Sequence, residues 1–394
     1  MKILFLSRWF PYPMNNGSKL RIYNLLRGLS KHHEVTLLCF ADQPDVTIDI
    51  PEIRSVCSDV YTVLWKEFNP HSLRARLGFL SLKPRSIIDT FSPEMSNQIT
   101  GLLNKQRYNL VIASELPMAA YYPYFKNLPA LFEDIELGLS DDGSLRKTGG
   151  MKQFRNAITW LKLRSYLSRL FKSFKAVTVV SEQERKLMSQ YFPGAENVAV
   201  IPNCINLTDY KNIHVESRAK QLIFTGSFRY HTNYEAMLWF AGEVFPHVLE
   251  QVPDAELIIT GDHANLPLPS DKNVTLAGYV DDIKGLIASS SVSIAPLWSG
   301  GGTRLKILEA MAIGIPVVAT SKGAEGLDVC SGEHLFIADD PIEFSNYVIR
   351  LLRDETLHRD VAQKAYRLVQ EKYDWGVKID DFVKLVVSVV VNQS

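Results

Sequence analysis

Apolar positions along this chain follow two alternating patterns. Short unbroken runs occupy 3–7, 35–40, 60–64, 110–113, 130–133, 176–180 and 198–201. Aliphatic and β-branched runs without inside–outside alternation predict strands of a parallel sheet covered on both faces. Between the first two runs, 18–33 carries Ile22, Leu26 and Leu29 on one helical face, so strand, loop, helix and strand form a βαβ unit. The pattern then restarts, with runs at 222–225, 256–260, 274–277, 291–295, 317–320 and 335–337 and helical periodicity over 234–249, 283–289, 303–313 and 342–352. Both periods fail over 202–220, a polar stretch containing Pro202-Asn203. The chain therefore predicts two doubly wound, Rossmann-like α/β domains, 1–205 and 221–374, joined by a linker at 206–220. Two such domains imply a cleft between them, with ligand at the carboxyl ends of the strands.

Composition narrows the class without changing that picture. With 394 residues there is enough chain for two cores, and 46% apolar with 22% charged residues is ordinary for a globular protein. The formal net charge of zero gives no general attraction to nucleic acid, and no nucleic-acid partner is expected. Cys39, Cys57, Cys204 and Cys330 are scattered without metal-ligand spacing, as expected of reduced cytoplasmic thiols. The first seven residues are too short an apolar run for a signal peptide, and no stretch of 18 apolar residues occurs, so no membrane span is expected.

The densest chemistry lies at 300–320. Gly300, Gly301, Gly302 and Thr303 precede Arg304, Leu305, Lys306 and, further on, Glu309, before the strand at 317–320. A helix start after glycines offers unpaired N–H groups and a positive dipole end to an anion. Arg304 and Lys306 add full charges there. Glu309, among Leu308, Ala310, Met311 and Ala312, is a carboxylate that needs hydrogen bonds to be tolerated. A nucleotide satisfies all of this, with phosphates on the loop and ribose on Glu309. A plain turn, with Glu309 satisfied by the protein's own backbone, is the other reading.

These segments resemble the family 4 retaining glycosyltransferases of the GT-B fold, over nearly the whole length. The resemblance is carried by the first loop Pro11-Tyr12-Pro13-Met14-Asn15-Asn16-Gly17-Ser18, by Val179-Val180-Ser181-Glu182 with Ile201-Pro202-Asn203, by Phe224-Thr225-Gly226-Ser227, and by 303–320; Tyr373-Asp374-Trp375 stands where the family's last helix crosses back. It implies GT-B architecture with 375–394 completing the first domain, and transfer of a sugar from a nucleotide-diphosphate sugar to a glycan or lipid-linked acceptor, as in polysaccharide or glycolipid synthesis. By resemblance, the base lies near Gly278, Tyr279 and Val280, Glu309 binds ribose, and the amides of Leu305 and Lys306 hold the diphosphate. Gly226 and Ser227 open the donor domain, and Asn16 and Gly17 face the phosphates from the first.

This chain departs from the family pattern twice. Gly301 stands where many members have a first glutamate, so sugar contacts fall to the backbone of 300–303. Ser227 and Thr232 stand where members carry Arg and Lys, which leaves Arg304 and Lys306, then Arg229 and His231, to meet the leaving diphosphate. No Asp-x-Asp ends a strand: Asp281-Asp282 reads as a helix start, and Asp339-Asp340 and Asp141-Asp142 as turns. No metal and no resident cofactor are therefore expected.

Other segments admit two readings. Glu133-Asp134 and Glu136, and Ser114-Glu115, orient an acceptor hydroxyl or serve as a cap and solvated loop, the second being favoured. Glu325 touches ligand or braces its turn, and Trp298 is core or cleft wall. Residues 146–175 hold nine Lys and Arg, no acid, and Phe154, Ile158, Leu161, Leu167, Phe171 and Phe174 at roughly helical spacing. That is either a basic helix lying on the inner, anionic membrane face or an ordinary helix packed on the sheet. The acceptor loops at 68–85 and 137–150 carry no readable code. A non-catalytic GT-B nucleotide-sugar-binding protein, or a GT-B epimerase or hydrolase, is the alternative function. A Rossmann dehydrogenase is disfavoured, since no Gly-x-Gly-x-x-Gly follows the first strand and no acid closes the second.

Overall fold

The computed structural model describes residues 1–391 apart from 45, 134–149, 196, 212, 214, 217, 269–271 and 301–303, with backbone only for 150–156. Among the described residues, thirteen strands form two all-parallel sheets. The first contains β1 (Lys2–Ser7), β2 (Glu34–Ala41), β3 (Asp59–Leu64), β4 (Leu110–Ser114), β5 (Ala130–Glu133), β6 (Ala176–Val179) and β7 (Val198–Val200), in the order β3-β2-β1-β4-β5-β6-β7. The second contains β8 (Gln221–Thr225), β9 (Glu256–Thr260), β10 (Val274–Gly278), β11 (Val292–Ala295), β12 (Val317–Ala319) and β13 (Phe336–Ile337), in the order β10-β9-β8-β11-β12-β13. Each predicted run is a strand, displaced by at most a residue or two. Ile3, Leu4, Phe5 and Leu6 are all fully buried, which is why the run lacks alternation: helices cover both faces. Strand order reverses between β1 and β4 and between β8 and β11, the switch points at which sheets of this kind bind ligands.

By contact the chain divides into Met1–Pro202 with Ile379–Ser394, and Asn203–Lys378, where the sequence reading placed the boundaries near 205 and 374. The stretch read as a linker is partly built into the second unit. Leu207–Tyr210 forms a short 3-10 turn, and Ile205 bridges Asp374. Ile205 N donates to Tyr373 O at 3.0 Å, Trp375 N to Ile205 O at 2.9 Å, and Leu207 N to Asp374 Oδ1 at 3.2 Å.

Two helical expectations change. The helix read over 234–249 is His231–Trp239 and Phe245–Gln251 joined by a π turn, Phe240–Val244. Pro246 lacks an N–H for the ladder, and the wider turn keeps Phe240, Val244, Phe245 and Val248 in the core. A further helix, Glu355–Lys372, buries Ala365, Leu368 and Val369 with Ile307, Leu308 and Met311 in one cluster.

In the first unit, the last helix (Trp375–Val391) buries Ile379, Phe382, Val386 and Val389. Gly28, inside the helix Gly17–Ser30, is where Ile379 approaches; a methyl there would collide with its side chain. From the same helix Arg21 reaches β5. Its Nε donates to Glu133 Oε1 at 2.6 Å and its Nη1 to Ile201 O at 2.9 Å, while Ser114 Oγ donates to Glu133 Oε2 at 2.6 Å. Arg21 and Glu133 are 1% and 0% exposed. This corrects the favoured solvated-cap reading of Glu133: the acid is in a sheet-to-helix ion pair, and Arg21 with the Ser114 hydroxyl makes its burial tolerable. Asp134 and Glu136 lie outside the described residues.

Candidate functional site

In the second unit the carboxyl edge of the sheet is lined by glycines. The chain leaves β8 through Gly226, β9 through Gly261 and β10 at Gly278, with φ of +155°, +95° and +67°, and after β11 it passes Gly300 at +91°. Close approach explains two of them. A Cβ on Gly226 would stand 2.7 Å from Asn233 Nδ2, and one on Gly261 would stand 2.7 Å from the backbone N of Ser227. The loops after β8 and β11, which flank the switch point, also meet: a Cβ on Gly300 would lie 2.7 Å from Tyr230 Oη and 3.4 Å from Thr232 Cγ2. Ser227 Oγ donates to Asp262 O at 3.0 Å and accepts from Arg229 N at 3.2 Å. Tyr279, 87% exposed, and Val280 follow β10 at the sheet's edge. Gly301, Gly302 and Thr303 lie outside the described residues.

The helix Leu305–Ile313 starts beside this edge. Ile307 N and Leu308 N donate to Arg304 O at 2.9 and 3.3 Å, so the amides of Leu305 and Lys306 precede the ladder and carry the dipole's positive end. At the other end Gly314, with φ +88°, closes a left-handed cap in which Ile315 N donates to Ala310 O at 2.9 Å. Glycine is needed there because the cap turns the chain directly into β12.

Three charged groups occupy the first turns. Lys306 Nζ donates to Asn233 Oδ1 at 3.0 Å and lies 4.1 Å from the centre of the Phe224 ring. Burial, and next the Arg304 charge, push its ammonium down to about 7, with Glu309 opposing. Glu309 Oε1 accepts from Tyr210 Oη at 3.0 Å. Burial raises its carboxyl above the usual range, against the Tyr210 hydrogen bond and the Lys284 and Lys306 charges. Arg304, expected to face phosphates, is 6% exposed, and its Nη2 donates to Gly300 O at 2.9 Å and Lys322 O at 3.1 Å. It braces the glycine loop against the turn after β12. Lys322 pairs with Glu325 at 2.5 Å, which gives Glu325 a bracing position as well.

Asn233, Tyr210 and Lys284 did not stand out in the sequence. Asn233 ties the group together, since its Nδ2 also donates to Ser227 O at 2.9 Å. Lys284 Nζ lies 4.5 Å from the centre of the Tyr210 ring and donates to Asp209 O at 3.0 Å. Only Asn233 carried a signal, two residues into a helix that follows a glycine-bearing strand end.

In the first unit, Asn16 Oδ1 accepts from Lys19 N at 2.9 Å and caps the helix that opens at Gly17. Beside it a cavity of about 440 Å³ is lined by Phe10, Tyr12, Lys19, Asp42 and Thr47, at the carboxyl ends of β1 and β2. Across the switch point, Trp9 Nε1 donates to Glu115 Oε1 at 2.9 Å, and Glu115 adopts φ +67°, a strained conformation for a residue with a side chain.

Potential metal ligands are engaged otherwise. Asp282 and Asp340 cap helices, and Asp339 accepts from Ser321 N at 2.8 Å, while Asp141 and Asp142 lie outside the described residues. Among the described residues, Cys330, Glu333 and His334 bring ligand atoms within 4.8 Å of one another on a turn, and His334 Nδ1 already accepts from Cys330 N at 3.1 Å.

The basic stretch splits between its two readings. Leu167, Phe171 and Phe174 are core, while Ile158 and Leu161 are 40% and 61% exposed. The side chain of Phe154 and all of 146–149 are outside the described residues.

Residues 15–209 match Glycosyltransferase Family 4, and residues 219–354 match Glycosyl transferases group 1. The chain belongs to the family 4 glycosyltransferases. A 44.6 kDa uncharacterized protein of the cps region of Klebsiella pneumoniae is 23% identical over 95% of this chain and 96% of its own length. A phosphatidyl-myo-inositol mannosyltransferase of Mycobacterium leprae (strain TN) is 27% identical over 51% of this chain and 54% of its own. Among solved structures, sucrose-phosphate synthase from Thermosynechococcus elongatus superimposes with a TM-score of 0.72 at 15% identity, over 100% of both chains. Anabaena HepE, in complex with UDP and glucose, gives 0.65 at 15% identity, over 98% of this chain and 100% of that one. These neighbours share the GT-B fold, and this family 4 glycosyltransferase has its two parallel-sheet, Rossmann-like domains. No helix among the described residues is long and apolar enough to cross a membrane.

Proposed function

We propose that this glycosyltransferase moves a hexose from a nucleotide-diphosphate sugar to a glycan or lipid-linked acceptor, with retention of anomeric configuration and without a metal ion. The observation that carries the reading is the convergence of Lys306, the first-turn amides of Leu305 and Lys306, and Glu309 on the helix that follows β11, beside the switch point between β8 and β11. The diphosphate rests on the amides of Leu305 and Lys306, and the ribose hydroxyls bond Glu309 beside Tyr210. The base lies toward Gly278, Tyr279 and Val280. That HepE, a neighbour of the same fold, is in complex with UDP and glucose supports a nucleotide-sugar donor.

The cations missing from 227 and 232 are compensated in space. Asn233 holds the Lys306 ammonium beside the β8 loop. As the glycosidic bond breaks, the departing diphosphate gains about one negative charge, and an aimed ammonium lowers that barrier by about 3 kcal/mol. Arg304 acts through the loop it braces. With no first glutamate at 301, backbone groups of the glycine loop hold the sugar, and the acceptor enters by the cavity beside Asn16 and Gly17.

Incubation with UDP-, GDP- and ADP-sugars and candidate acceptors tests this. Nucleoside diphosphate is expected only when donor and acceptor are both present, at a rate unchanged by EDTA, with a product whose anomeric proton coupling matches the donor. Release without acceptor would favour the hydrolase or epimerase reading, and an inverted product would refute retention.

A further inference from the structure

The segment after β3 presents its apolar residues the wrong way for a globular protein. In the short helix Leu73–Leu77 and the 3-10 turn Gly78–Leu80, Ala75 and Gly78 point inward and are buried. Leu73, Leu77 and Leu80, at positions i, i+4 and i+7, are 74%, 59% and 90% exposed, and Leu82 is 70% exposed. An amphipathic element in water turns such a stripe to the core.

The segment is firmly held in this pose. At its base the fully buried Asp89 accepts from the Ser72 hydroxyl, from Asn69 N at 2.9 Å and from Lys66 Nζ at 3.1 Å. At its tip Arg85 Nε donates to Ala75 O at 2.8 Å and Nη2 to Pro70 O at 2.7 Å, with the guanidinium 3.9 Å from the centre of the Phe79 ring.

Charge identifies what the leucines meet. From Phe68 through Ile88 there is no acidic residue, and Arg74, Arg76, Lys83 and Arg85 surround the leucines. Lys162 donates to Phe79 O, which joins this segment to the exposed, acid-free stretch of the basic helix carrying Leu161. An apolar tip ringed by cations complements acyl chains beneath anionic headgroups. An acidic protein surface would use the cations and leave the leucines in water.

We propose that 73–82 inserts into an anionic lipid surface, with Lys162 and its basic helix on the headgroups. Trp65, at the base of the segment, lies 3.9 Å from the Arg8 guanidinium, so the docked surface adjoins the loop that carries the acceptor-side cavity. That places a lipid-linked acceptor within its reach, although docking itself does not depend on the donor assignment.

Flotation of the full chain with phosphatidylcholine vesicles, with and without phosphatidylglycerol, needs neither donor nor acceptor. Binding is expected only with phosphatidylglycerol, and raised salt should weaken it. Leu77→Ser with Leu80→Ser should reduce it about tenfold at unchanged Tm, because partitioning follows buried apolar area. Arg74→Gln with Arg76→Gln should weaken the preference for the anionic lipid. Absence of flotation, or equal flotation of the leucine variant, would overturn the proposal. So would wild-type self-association abolished by the leucine substitutions without any lipid binding, which would make the patch a protein interface.

Discussion

Glu309 and Lys306 are ionisable groups in poor solvent, and a bound nucleotide changes the terms for both. Glu309→Gln removes a charged acceptor for ribose while keeping the shape, so nucleoside diphosphate affinity should fall by about 1.5–3 kcal/mol, roughly tenfold or more. Titration calorimetry of both forms checks it; equal affinity would take Glu309 out of the site. Lys306, pushed down to about 7 by burial and Arg304, is part-neutral without ligand at neutral pH. A diphosphate favours the ammonium, so binding above pH 7 should draw in a proton and affinity should fall as pH rises. Calorimetry at pH 8 in buffers of different ionisation heat should reveal that uptake, and Lys306→Arg should abolish it, since a guanidinium stays charged. The stability effect has the opposite sign. A lysine at 10.5 when unfolded and near 7 when folded binds more protons unfolded, so its destabilising effect lessens between those values.

At the scale of elements, two contacts position the strand ends that carry the sites. A methyl on Gly323 would collide with Ala295 O, a backbone atom of β11 that cannot turn aside. Gly323→Ala should therefore cost about 1–3 kcal/mol in urea unfolding and distort the turn that Arg304 braces. In the first unit, Arg21→Ala leaves Glu133 buried without its cation, at a cost of about 3–5 kcal/mol. The same measurement tests it, and a loss below 1 kcal/mol would show that the pair is replaceable. Both contacts join residues distant in the chain, so neither leaves a local pattern. Read along the chain alone, Glu133 is a cap.

For the molecule as a whole, the carboxyl terminus belongs to the first unit. Ile379, Phe382, Val386 and Val389 are buried there, and at about 1.5–3 kcal/mol each they approach the stability of a whole domain. Truncation after Lys378 should unfold the first unit at lower temperature, while the second, complete in sequence, still binds nucleoside diphosphate. Scanning calorimetry with and without UDP checks this. If both transitions survive unchanged, the last helix is dispensable.

The sequence by itself determined the strands, their parallel arrangement in two doubly wound sheets, and the helix that starts at Leu305, because burial on both faces and helical periodicity are written in consecutive residues. Tertiary structure alone decided the partners. Asn233 reaches Lys306 across 73 positions because parallel strands align their carboxyl ends whatever chain lies between them, and Tyr210 reaches Glu309 across 99 because the turn before β8 packs in one cluster with the helix Leu305–Ile313. It also divided the basic helix between core and surface and turned the leucines of 73–82 outward. Periodicity tells which residues share a face, while the direction of that face depends on what the rest of the chain packs against it.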